Sequence, residues 1–169
     1  TRYIMPHLPC HGKFFCFCNF LAIFQERVII KIMETKIEKI TDITQDADKI
    51  QTAAEIIRAG GLVAFPTETV YGLGADALNA KASEKIYAAK GRPSDNPLIV
   101  HIAKFEDMAK IVKKLPPQAK LLNDAFWPGP LTMIVEKNDK VPYETTGGMD
   151  TVAIRMPNHP VALALIRES

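Results

Sequence analysis

The chain has 169 residues, of which 47% are hydrophobic and 24% charged, with a formal net charge of +2. That length is enough for one domain with a proper core, and the composition is that of an ordinary soluble globular protein. The small net charge gives no argument for nucleic-acid binding by itself, so any basic site has to come from local placement.

The first 32 residues stand apart. They hold all three cysteines, Cys10, Cys16 and Cys18, and the longest apolar run, Phe14 to Phe24, broken only by Asn19. No acidic residue precedes Glu26. From Met33 onward the composition turns to Glu, Lys, Ile, Thr and Asp with no cysteine, and Met33-Glu34-Thr35-Lys36 reads like a natural start. Arg2, His7 and Lys13 precede the apolar run, but no small-residue cleavage site follows it as a signal peptide requires. The run is also shorter than the roughly 20 residues of a membrane-spanning helix. Residues 1–32 are therefore expected to be a non-native or disordered extension, ahead of a targeting segment or a structural arm. His7, Cys10, His11, Cys16 and Cys18 fit no zinc spacing, so no metal site is expected. A body without cysteine fits a reducing compartment, and the expected location is the cytoplasm.

Asp46 to Ala59 is predicted helical, because Ile50, Ala53, Ala54 and Ile57 make one apolar stripe. Gly60-Gly61 ends it. Leu62 to Phe65 is a short continuous apolar run, expected as a buried strand. A glycine-bearing polar turn follows, then a further strand over Leu73 to Leu78. Asn79 caps a helix from Ala80 to Lys90 with Ala82, Ile86 and Ala89 on its buried face. Pro97 to Ile102 is the next strand. Helices are predicted over Phe105 to Val112, burying Met108, Ile111 and Val112, and over Pro116 to Phe126, burying Ala119, Leu122 and Phe126. Trp127-Pro128-Gly129-Pro130 breaks the chain. Leu131 to Val135 and Val152 to Met156 are strands, with Tyr143 to Asp150 a loop between them. A last helix opens at Pro160, and the end of the chain at Ser169 reads as a truncation. Helices alternating with short buried strands imply an α/β fold in a single domain. Neither G-x-G-x-x-G nor G-x-x-x-x-G-K-[ST] is present.

The residues able to carry chemistry are few. Lys90 and Arg92 bracket Gly91 at a helix C-terminus, and together a point charge and a planar fork can neutralise a triphosphate. A bare K-G-R is more often a solvated helix end, favoured there by the dipole. Here Pro93, Asp95 and Asn96 lead directly into a strand. Thr67 and Thr69 flank Glu68 just after a buried strand, where hydroxyls can hold a polar ligand or merely cap a turn. Gly72 and Gly74 permit close backbone approach. His101 lies in an apolar strand, where a histidine is more often a satisfied core residue than a ligand. Arg155, on a strand with apolar neighbours, is costly to bury unpaired; it faces solvent or binds an anion, with a carboxylate its natural bidentate partner. No Ser–His–Asp arrangement or helical histidine pair appears. A set built of Thr, Lys, Arg, Asn and His positions anions and polar groups, leaving the protein to supply proximity and charge stabilisation.

Five motifs occur in order: Ala64 to Gly74 (AFPTETVYGLG), Lys90 to Pro93 (KGRP), Asn96 to Ile102 (NPLIVHI), Phe126 to Thr132 (FWPGPLT) and Thr151 to Pro157 (TVAIRMP). On them, residues 46–169 resemble the YrdC family, the L-threonylcarbamoyladenylate synthases. The resemblance implies a twisted, mostly mixed β-sheet with flanking helices and a concave, positively charged face. It implies a nucleotidyltransferase that joins L-threonine, bicarbonate and ATP into threonylcarbamoyl-AMP and pyrophosphate. ATP, accompanied by Mg2+, is then a substrate, and no cofactor is tightly bound. The product feeds a downstream threonylcarbamoyl-transferase system that modifies tRNA, so contact with tRNA is implied and a membrane is not. By motif position, Thr69, His101 and Arg155 form the threonine set, and Lys90, Arg92, Asn96 and Thr151 the nucleotide set, with Lys90 and Arg92 catalytic. The family's later S-x-N motif has no counterpart after Thr151. Two other readings compete: an RNA-binding module using the same basic concavity, and a YrdC-like domain of a carbamoyl-transferring maturation enzyme. The chain lacks the aromatic–basic interleaving that stacks bases, which counts against the first.

Overall fold

The structure, a computed structural model, describes residues 35–169 and the backbone of one strand at Arg2–Ile4. The cysteines, the Phe14–Phe24 run and the His7–Cys18 group lie outside the described residues. In chain order the elements are β1 (Arg2–Ile4), β2 (Thr35–Ile37), α1 (Ala47–Arg58), β3 (Leu62–Phe65), β4 (Gly72–Gly74), α2 (Ala80–Lys90) and β5 (Ile99–His101). A 3-10 helix (Phe105–Lys110), α3 (Pro117–Phe126), β6 (Met133–Glu136), α4 (Tyr143–Thr146), β7 (Thr151–Arg155) and α5 (Pro160–Glu168) complete them.

The fold is α/β with mixed sheets, as the alternation of elements implied, and the strands divide into two sheets. One has the order β2-β1-β3-β4 and the other β5-β7-β6. In the first, β1 is parallel to β2 and β3, while β4 is antiparallel to β3. In the second, β5 is parallel and β6 antiparallel to β7. Each sheet has its own core. Ile50, Ala53, Ala54 and Ile57 of α1 pack with Val63, Phe65 and the Val161, Ala162 and Leu165 face of α5. Val100, Val152 and Ile154 pack with Met108, Ile111, Val112 and Trp127 on the second sheet.

Six sequence expectations are corrected, most of them where tertiary context overrides local pattern. The strand expected over Leu73 to Leu78 pairs only at Gly72–Gly74. Beyond it, Asp76 Oδ1 accepts from Leu78 N–H at 2.9 Å and Ala77 C=O accepts from the Thr145 hydroxyl at 2.8 Å, which turns the chain out of the sheet. The strand expected from Pro97 begins at Ile99, because proline has no N–H and Leu98 N–H goes to Thr145 C=O at 2.9 Å. On α2 the buried face is Ala82, Ser83, Ile86 and Tyr87, with Ala89 only half-buried. A serine takes a buried place because its hydroxyl meets Thr145 Oγ1 at 2.8 Å. The expected loop Tyr143–Asp150 contains α4, whose Thr145 and Thr146 are buried with their hydroxyls bonded to backbone carbonyls. The stripe read on α3 reaches a core only at Ala119, and Phe126 is 56% exposed among the described residues. The helix expected over Phe105 to Val112 is a 3-10 turn ending at Lys110, with Val112 bridging to Lys137.

Candidate functional site

Strand β7 organises the site. Its burial alternates, so Val152 and Ile154 enter the core while Thr151, Ala153 and Arg155 share the opposite face. Strand β5 lies parallel to it with Ile99 opposite Ala153 and His101 opposite Arg155. Two residues far apart in sequence are thereby made neighbours on adjacent strands, about 5 Å between backbones. Thr151 lies four residues back along β7, about 13 Å from Arg155 at the usual strand rise.

Arg155 is the centre of one end. Its side chain is 12% exposed, and Nη2 donates to Glu68 Oε1 at 2.6 Å and to Thr69 Oγ1 at 3.2 Å. Glu68 Oε2 accepts from Asn158 N–H at 3.1 Å. Thr69 is placed by a tight local turn, in which Thr67 Oγ1 bonds Val70 C=O at 2.5 Å and lies 3.1 Å from Thr69 Oγ1. Burial pushes the Glu68 carboxyl up, but the Arg155 guanidinium and backbone N–H donors outweigh it and hold the group below its usual value. Burial first, and the Arg155 charge second, bring His101 down to about 4. The imidazole is therefore neutral near pH 7. His101 Nε2 and Arg155 Nε are both buried without a hydrogen-bond partner among the described residues. Two unsatisfied polar atoms on residues paired across the ladder are costly unless a ligand completes them.

The glycines of the turn do permit a close approach. A Cβ on Gly74 would lie 2.7 Å from Phe65 Cε1, and one on Gly72 3.2 Å from Phe65 Cζ. The close approach they permit is that of the Phe65 ring, which meets His101 edge-on at 5.8 Å and backs the imidazole.

The other end is more open. Gly91 closes α2 in the left-handed conformation (φ 59°), and both its N–H and that of Arg92 go to Tyr87 C=O. Lys90, Arg92 and Asn96 are exposed, and neither cation has an ion-pair partner among the described residues. The loop of Asn96 is braced from below, because Gly147 (φ 62°) packs so closely that a Cβ there would meet Asp95 C=O at 2.7 Å. That brace belongs to the loop leading into Thr151, so Asn96 and Thr151 belong to the same end of the second sheet.

A cavity of about 940 Å³ opens between the edge strands β4 and β5. Lys90, Arg92 and His101 line it, together with Phe65, Leu73 and Ile86. Thr69, Asn96, Thr151 and Arg155 do not line it. The structure thus brings Thr69, His101 and Arg155 together in one cluster. It places Lys90, Arg92, Asn96 and Thr151 around the other end, with no direct bond among their side chains in the described residues. Glu68 and Asn158 were missed from sequence. The available signal was the cost of burying Arg155, which demands an internal carboxylate, and Glu68 sits between the two threonines already singled out.

A family model for Sua5, YciO and YrdC proteins, described as "Telomere recombination", matches residues 55–169. The chain is 58% identical over 121 residues to a threonylcarbamoyl-AMP synthase of Pyrococcus abyssi, covering 72% of this chain and 36% of the relative. It is 52% identical over 141 residues to the Bacillus subtilis threonylcarbamoyl-AMP synthase, covering 81% of this chain and 41% of that protein. It is also similar to the crystal structure of Pyrococcus abyssi Sua5 complexed with L-threonine, with a TM-score of 0.70 and 57% identity over 71% of this chain and 35% of that one. The chain therefore spans well under half the length of these relatives. Among the described residues, no helix is long and apolar enough to cross a membrane.

Proposed function

The chain belongs to the Sua5/YciO/YrdC family, and from that premise we propose that it carries the substrate-binding core of a threonylcarbamoyl-AMP synthase. It joins L-threonine, bicarbonate and ATP into threonylcarbamoyl-AMP and pyrophosphate, the activated unit for threonylcarbamoyladenosine in tRNA. Such an enzyme works in the cytoplasm, with Mg2+-bound ATP as substrate and a downstream transferase system, tRNA among its contacts, taking the product.

The observation that carries this reading is the register pairing of His101 with Arg155, with Thr69 beside the guanidinium and two buried nitrogens left unsatisfied. Arg155 holds the threonine carboxylate, since a guanidinium matches that group in plane and charge. Neutral His101 and the Thr69 hydroxyl take the remaining polar groups of the amino acid. Lys90 and Arg92 neutralise the triphosphate as charge moves onto the departing pyrophosphate, with Asn96 and Thr151 orienting the nucleotide. The amino acid held at Arg155 and the α-phosphate held from the Lys90–Arg92 loop then meet between the two sets. No nucleophile from the protein is required, and rate enhancement comes from proximity and electrostatics.

The test is pyrophosphate release from ATP by the chain, and by a chimera in which residues 46–169 replace the matching region of the Pyrococcus abyssi relative. Release that requires both threonine and bicarbonate is expected. Release by either protein that proceeds equally without threonine overturns the reading.

A further inference from the structure

Glu68 is the one charged group of the threonine end to which the functional reading gives no task. Its Oε1 lies 2.6 Å from Arg155 Nη2, and its Oε2 is held by Asn158 N–H at 3.1 Å. The carboxylate is thus fixed by the backbone of the turn between β7 and α5 as well as by the arginine. The two side chains are 12% and 20% exposed, so water screens their charges less than at an open surface.

This arrangement has two physical consequences. Glu68 and Thr69 both engage Nη2, whereas Nε is buried and unpartnered among the described residues. A guanidinium has five donors in a rigid fork, so with Nη2 engaged the Nε and Nη1 hydrogens are left for a second carboxylate while Glu68 stops the group from rotating. The charges also cancel. With His101 neutral, one cation and one anion make a cluster of zero net charge. A zwitterion enters it without leaving an uncompensated charge, with its carboxylate on Arg155 and its ammonium toward the lone pairs left on Glu68. A plain carboxylate brings a negative charge that nothing in the cluster offsets.

We propose that Glu68 is a positioning and specificity residue, which fixes Arg155 for the carboxylate of the amino acid and makes the site select a zwitterionic amino acid over the same acid without its ammonium group. The proposal rests on the threonine reading of this site and adds what that reading lacks, the group that recognises the amine end.

Calorimetric titration of the chain with L-threonine and with 2,3-dihydroxybutanoate, in which a hydroxyl replaces the ammonium, tests it. The wild type is expected to favour threonine by about tenfold or more, the usual scale for one charge-assisted contact. In Glu68→Gln, which keeps the shape but not the charge, threonine affinity falls about tenfold and the preference collapses towards one. Glu68→Asp restores part of the preference, and ATP affinity serves as the control that a purely structural defect would move. A Glu68→Gln chain that binds threonine equally or more tightly with its preference intact overturns the proposal and makes Glu68 a competitor for Arg155, while leaving the functional reading standing. A wild-type chain that binds no threonine overturns both.

Discussion

The two ends of the β7 site face differ in how much of their geometry exists before a ligand arrives. At the Arg155 end, Glu68, Thr69 and Asn158 N–H hold the guanidinium, and Phe65 backs a neutral His101. At the Lys90–Arg92 end the loop backbone is fixed by Gly91 and Gly147, but the cations are exposed and without ion pairs among the described residues. The difference follows the ligands proposed for each end. A small amino acid offers few contacts, so its site gains affinity by being built in advance. A triphosphate brings enough charge to gather two long cationic side chains around itself.

Removing the centre of the built end should have the largest effect. Arg155→Ala is expected to weaken threonine binding about 100-fold while changing ATP binding less than about twofold, and to lower stability by about 1–2 kcal/mol because Glu68 loses its partner at a partly solvated site. Calorimetry and thermal melts check both effects, and an equal loss for the two ligands would erase the distinction between the ends. At the open end, Lys90→Ala with Arg92→Ala should cost ATP roughly 10–100-fold, more at low salt than at high, with no change in melting temperature, since exposed unpaired cations contribute little to stability. A fall in melting temperature would show that this end too is built in advance.

Lowering the pH probes the built end alone. His101 titrates near 4 in the folded chain against an ordinary value of 6.5. An unfolded chain takes up a proton below about 6.5 that the folded one refuses, so stability should fall by roughly 3 kcal/mol between those values and level off below 4. Glu68, held below its usual value of 4.5, adds a further loss that begins as the unfolded chain protonates near that value and ends once the folded chain protonates too. Threonine binding should therefore persist at pH 5.5, where an ordinary histidine would already be charged. Loss of binding with a midpoint near 6.5 would show His101 to be freely solvated. The smallest effect is expected from Gly74→Ala, whose Cβ would press the Phe65 ring towards His101. It should cost about 1–3 kcal/mol and weaken threonine more than ATP.

Where hydrophobic period alone decides structure, the sequence was legible. The α1 stripe of Ile50, Ala53, Ala54 and Ile57 is buried as read, and Leu62–Phe65 is a strand to the residue. Most of the misreadings share a cause, which is polar atoms satisfied across long sequence distances. Thr145 alone accounts for three of them, since its hydroxyl diverts the chain at Ala77 and satisfies Ser83 on α2, while its carbonyl delays the start of β5. No window of neighbouring residues contains that information. Within the site, the cost of burying Arg155 and the hydroxyls around Glu68 were visible, but the register that sets His101 opposite Arg155 was not. That register depends on two strands more than 50 residues apart choosing each other, and only the fold shows it.

The division of the site face into an amino-acid end and a nucleotide end is tested most directly by NMR titration of the isotopically labelled chain. L-threonine is expected to shift the side-chain signals of Arg155 Nε and His101 Nε2 and leave Lys90 and Arg92 unmoved, and ATP with Mg2+ to do the reverse. Threonine shifts centred on Lys90 and Arg92, or ATP shifts centred on Arg155, would contradict the account.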